Sequence, residues 1–191
     1  MRNRAKWFWL LALVLLVSCG GSGPSPSLGE TPEIKGKVQN WSGSSGEVLA
    51  VNFGDQILGK GTIQSDGGFR VRLYSVARDL PNALAEISLS DSKETCSIHV
   101  SPSGVRWTLV SFLEGPEGEI VGLMNDPEAP DQFGQLIYVD SDVTIRSEGE
   151  CYITWDLDLK AGWNWIVYTI NDDGEVMESK YPSGLRWYLL H

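Results

Sequence analysis

CYITWDLDL, residues 151–159, is the stretch that decides the fold. Ile153, Trp155, Leu157 and Leu159 alternate with Tyr152, Thr154, Asp156 and Asp158. A side-chain period of two sends the first set to one face of an extended chain and the second set to the other. The stretch therefore reads as a strand with one face in a core and one in water. The same pattern recurs upstream, where Phe69, Val71 and Leu73 alternate with Arg70 and Arg72 just after Asp66-Gly67. Asp-Gly is a strong hairpin signal because glycine accepts positive φ without steric cost. Further short β-like runs fall at 34–38, 47–53, 60–64, 96–100, 105–113, 119–124, 135–139, 143–146, 163–171 and 185–190. Only 79–87 has helical flavour, and no amphipathic run of ten residues exists to cross over a parallel sheet. The expected fold is all-β: a β-sandwich, immunoglobulin-like or transthyretin-like, of about ten or more short antiparallel strands. It spans 34–191, and a break into two smaller sandwiches near 90–95 is the alternative.

Two resemblances follow from particular residues. Gly36-Lys37-Val38, followed by Asp66-Gly67-Gly68-Phe69-Arg70-Val71, resembles the opening of transthyretin-like and carboxypeptidase-regulatory-like sandwich modules. Residues 136–145, 152–159 and Gly162-Trp163-Asn164 resemble the strand series of bacterial lipoproteins with a β-rich body. These resemblances imply a location and a fold and carry no catalytic residue.

The N-terminus points to the same class. Arg2, Arg4 and Lys6 precede an unbroken apolar run at 7–17. Eleven residues suit a secretory signal and fall short of the ~20 that span a bilayer. The run ends in Leu16-Val17-Ser18-Cys19, which resembles the lipobox of bacterial lipoproteins. The resemblance implies that residues 1–18 are removed and that Cys19 becomes an acylated N-terminus. Two or three acyl chains anchor stably where one does not. Gly20, rather than Asp, follows the cysteine, which by resemblance argues against inner-membrane retention in a cell with two membranes. Residues 19–33 then form the acylated cysteine and a flexible Gly/Ser/Pro tether. The expected location is the cell membrane or outer membrane, with the body facing the periplasm or the exterior.

Beyond Cys19 twelve Lys and Arg stand against twenty-five Asp and Glu, a net charge of −13. No basic patch offers itself to a nucleic acid, so the expected partners are the membrane through the lipid, and an envelope glycan or protein. Cys96 and Cys151 are the remaining cysteines, and in an exported chain they suggest a disulfide.

Candidate chemistry is sparse. Trp41, Trp163 and Trp165 are the favoured aromatic platform for a glycan, because 163–171 is apolar on both faces and one face must meet something besides a single core. The acidic clusters 125–131, Asp140 with Asp142, and 171–175 offer oxygens for a structural Ca²⁺ as an alternative to ordinary turns. PSGVRW at 102–107 and PSGLRW at 182–187 read as two turn-to-strand entries carrying Trp107 and Trp187. His99 and His191 are the only histidines, and no nucleophile or metal motif accompanies them. No catalytic residue, metal ligand or cofactor beyond the Cys19 lipid is assigned. The expected function is a lipid-anchored cell-envelope protein with a binding or structural role. A glycan-binding module using exposed tryptophans and a carboxylate-based hydrolase are the alternatives.

Overall fold

A computed structural model describes residues 27–190; the expected signal sequence at 1–18 and Cys19 lie outside them. The fold is all-β, with one short helix, α1 (Val76–Asp79), and a 3-10 turn at Pro81–Ala83 where helical flavour was expected. Strands β1 (Glu33–Lys37), β2 (Gly46–Val51), β3 (Ile57–Ile63) and β4 (Gly68–Leu73) pair in the order β1-β4-β3-β2. The order continues from β2 through β8 (Phe112–Glu114) and β9 (Ile120–Met124) to β15 (Arg186–Leu190). Trp187 of β15 then bridges Val38, just past β1, and its carbonyl accepts the Gln39 N–H at 2.8 Å. The first half thus closes into a ring, which removes its open edges.

The second half pairs as β5-β7-β10-β13-β14-β12-β11-β6. Its strands are β5 (Ala85–Glu86), β6 (Ser97–Ser101), β7 (Arg106–Val110), β10 (Gln132–Val139), β11 (Val143–Glu148), β12 (Ile153–Leu159), β13 (Gly162–Asn171) and β14 (Gly174–Glu178). An all-antiparallel arrangement was expected, but β12 and β14 run parallel. The cause is topological. β14 returns from β13 by a tight hairpin and inserts between β13 and β12. A strand antiparallel to β13 must be parallel to the strand before it.

Two hydrophobic cores result. The first joins side chains of the ring strands to others from β10 and β13; the second includes Val139, Ile145, Leu157 and Leu159. They share the β10–β13 ladder, whose alternating side chains serve both. Leu136, Tyr138, Trp163 and Trp165 enter the first core, while Ile137, Val139 and Ile166 enter the second. That arrangement accounts for the apolar residues on both faces of β13.

The N-terminal stretch corrects the tether boundary. Residues 28–33 belong to the folded body. The Leu28 N–H donates to the Trp163 carbonyl at 2.8 Å, and the Trp163 N–H donates to the Gly29 carbonyl at 3.0 Å. The Glu30 carboxylate accepts from the Ser75 hydroxyl at 2.7 Å and the Tyr138 hydroxyl at 2.8 Å. Gly162 makes this approach possible: a Cβ there would lie 2.9 Å from the Gly29 oxygen. Leu28 packs on the first core, so an apolar contact outweighs the flexibility that the neighbouring Gly, Ser and Pro suggested.

The two PSG turns mark corresponding places. Gly104 and Gly184 both have positive φ, at 79° and 84°, directly before β7 and β15. Trp107 packs half-buried against the second core and Trp187 against the first, where it meets Phe69 edge-to-face at 5.2 Å.

A candidate binding groove at the mouth of the second core

The β12, β14 and β13 registers align two rows of side chains on one face. Trp155, Met177 and Tyr168 form one row; Ile153, Glu175 and Ile170 form the next. Phe133 of β10 stands opposite Tyr168, with ring centroids 6.1 Å apart. Trp155 lies nearly buried in the second core, but Met177 and Tyr168 are half-buried and Ile170 is exposed. The face therefore runs from core to surface, interrupted only by the carboxylate of Glu175.

A groove of about 240 Å³ opens on this face. Trp107 and Leu109 of β7, Ile166 and Tyr168 of β13, Met177 and Phe53 are among the residues that line it. Phe53 is 79% exposed, the most exposed of the large apolar side chains among the described residues. Its position is ordered by a turn. The Asn52 side-chain oxygen accepts the N–H groups of Gly54 and Gln56, both at 2.9 Å, and its amide nitrogen donates to Gln56 Oε1. Asp55 takes a left-handed φ of 56° to complete it. An Asx-type turn is a stable local device, so the backbone that carries the exposed Phe53 is fixed. A second depression of about 340 Å³, bounded by residues 82–85 and Thr108, shares Phe53, Trp107 and Leu109. Phe53 thus lines both depressions.

Glu175 is the one charged side chain in the two aligned rows. Tyr168 donates its hydroxyl to Glu175 Oε2 in a very short hydrogen bond. Burial, then that bond and the carboxylate charge, push the Tyr168 phenol up to about 12. The phenol stays neutral and keeps Glu175 tied to the sheet.

The tryptophans named from sequence fall elsewhere. Trp163 is fully buried, with Nε1 donating to the Tyr74 carbonyl at 2.8 Å, and Trp165 is 6% exposed. Neither can stack on a sugar, which corrects the proposed platform. The physical reason is the second core, which already uses the other face of β13. Trp41 is half-buried against the first core, and its Nε1 is buried without a hydrogen-bond partner among the described residues. Phe53, Trp107, Tyr168 and Met177 are the residues that sequence reasoning missed. The available signal was an aromatic set inside a run of turn formers, Asn52-Phe53-Gly54-Asp55.

Cys96 and Cys151 are bonded to each other, joining the approaches to β6 and β12 on either side of β11. Asp91 lies beside them, but its carboxylate accepts the Lys93 and Tyr152 N–H groups at 2.8 Å each. Sulfurs joined in a disulfide offer no thiolate to a metal. Several carboxylates of the acidic clusters are likewise engaged. Asp140 pairs with Arg106 and Asp142 with Lys160. Burial pushes the Asp140 carboxyl upward, but the Arg106 N–H and guanidinium outweigh it and hold it below the usual carboxylate range. Asp131 accepts from the Asn125 amide, and Asp126 closes its own turn with the Glu128 N–H. His99 faces Glu148 at 3.6 Å on the surface.

Comparison with known proteins finds no match to any protein-family model, curated protein or solved structure.

Proposed function

We propose that this chain is a lipid-anchored protein of the cell envelope, tethered through Cys19, whose body binds a partner through the Phe53 groove. The observation that carries the proposal is Phe53 itself. A large apolar side chain on a hydrogen-bonded turn, beside a largely apolar face, leaves most of its surface in water within the monomer. The lining favours an apolar anchor over a sugar, which needs polar partners around its aromatic platform. The proposal assigns no chemistry to the acidic residues. Asp66, Asp79, Asp140 and Asp142 are each held ionised by a neighbouring cation or backbone N–H, the opposite of a poised general acid.

Two measurements test this in the cell that makes the protein. Metabolic labelling with a fatty-acid analogue should mark the wild type and fail to mark Cys19→Ala. A photo-crosslinking residue at position 53 should give a discrete adduct, while the same residue at exposed Ser92 gives none. Equal, diffuse labelling at both positions would defeat the binding role.

A further inference from the structure

We infer that the groove receives a segment of another protein that carries an apolar anchor flanked by lysine or arginine. The inference rests on the binding role above and names its partner. Its second support is charge. The groove face ends where β13 turns into β14 and where the 125–131 loop meets β13, the Ile170 N–H donating to the Asp131 carbonyl at 2.7 Å. That end carries Asp126, Glu128, Asp131, Asp172 and Asp173, all exposed. Among the described residues, no ion pair involves any of these five carboxylates. Lys93, held over the Tyr152 ring at 4.6 Å beside the start of β14, is a single cation on that side, while Lys180 and Arg146 lie toward the other end of β14, paired with Glu178 and with Asp156 and Asp158. An apolar floor leading into an excess of negative charge complements a segment with the reverse pattern. The net charge of −13 beyond Cys19 sets a second copy of this chain against it, because its own acidic end would have to approach the first.

Two synthetic peptides serve as probes. Each has a central Leu-Phe-Leu; one is flanked by two lysines on each side and the other by two glutamates. They are titrated into the mature chain with Cys19→Ser, following tryptophan fluorescence, with wild type, Phe53→Ser and Asp172→Lys/Asp173→Lys compared. The expected result is saturable binding of the lysine peptide only. Phe53→Ser should weaken it by about ten- to a hundredfold, the value of one buried aromatic side chain. The lysine double variant should weaken it and flatten its salt dependence. Undiminished binding to Phe53→Ser, or equal binding of both peptides, overturns the inference. So does lysine-peptide binding that is absent while the position-53 adduct persists in cells; that outcome spares the binding role and removes only this partner. Loss of both removes the role itself.

Discussion

Replacing Trp163 by alanine separates a structural tryptophan from a binding one. The side chain is fully buried, meets the Tyr138 ring edge-to-face at 5.4 Å, and gives its N–H to the Tyr74 carbonyl. Truncation removes an aromatic side chain of ~200 Å² and leaves a cavity that the ring cannot fill from outside. Losses of ~3–5 kcal/mol accompany such changes, and the orphaned Tyr74 carbonyl adds about 1. The expected loss of roughly 4–6 kcal/mol approaches the whole stability of many domains. With an m-value of ~2 kcal/mol/M, the urea midpoint falls by about 2–3 M. Trp163→Phe keeps most of the volume and should cost ~1–3 kcal/mol, which keeps the measurement readable if the alanine variant does not fold. Phe53→Ala, at an exposed site, should lie within about 0.5 kcal/mol of wild type. Equilibrium urea unfolding of the mature chain, followed by circular dichroism, compares the three. A loss below about 1 kcal/mol for Trp163→Ala, or a larger one for Phe53→Ala than for Trp163→Ala, would refute the assignment of the two residues.

Reducing the Cys96–Cys151 bond, which closes a separation of 55 residues, should lower stability by ~4 kcal/mol in the chain-entropy account; urea unfolding with and without reductant measures it. Glu30→Ala leaves the Ser75 and Tyr138 hydroxyls without their acceptor and should cost about 1–2 kcal/mol, with faster amide exchange at Trp163, where residues 28–30 hold the strand. Asp140 is held below its unfolded value of 3.8, so its contribution is present above that pH and is lost as the pH falls further. Asp140→Asn should be less stable than wild type at neutral pH and show a shallower acid limb. Tyr168 runs the other way. Its folded value near 12 exceeds the unfolded 10.0, so its contribution is whole below pH 10 and is lost as pH rises toward 12. Tyr168→Phe should flatten that alkaline decline.

The fold class was legible because alternation is a local property. Each of β4 and β12 states its own buried face, and the Asp66-Gly67 turn states where the chain reverses. The strand arrangement was not legible, since it depends on pairings between distant segments. Nothing local to β14 says that it inserts between β12 and β13, and nothing local to β15 says that it closes the ring on Val38. The start of the body was hidden for a related reason. Gly, Ser and Pro dominate the N-terminal segment, while the groups that hold Leu28 and Glu30 come from β13, Ser75 and β10.

The candidate site was misplaced by a sound observation with two explanations. Apolar residues on both faces of 163–171 require a second apolar neighbour, and periodicity does not say whether that neighbour is a ligand or another part of the same chain. Here it is the chain: Trp163 and Trp165 face the first core, and Ile166 faces the second. The apolar pattern outlasts its internal neighbour only at the far end of β13, where Tyr168 and Ile170 pass beyond the second core. A strand four residues shorter would have ended at Val167, inside the protein. The surplus length is thus the part of the pattern that stability does not explain. It lies beside Met177 and Ile153, on the face that Phe53 of the Asn52 turn also lines.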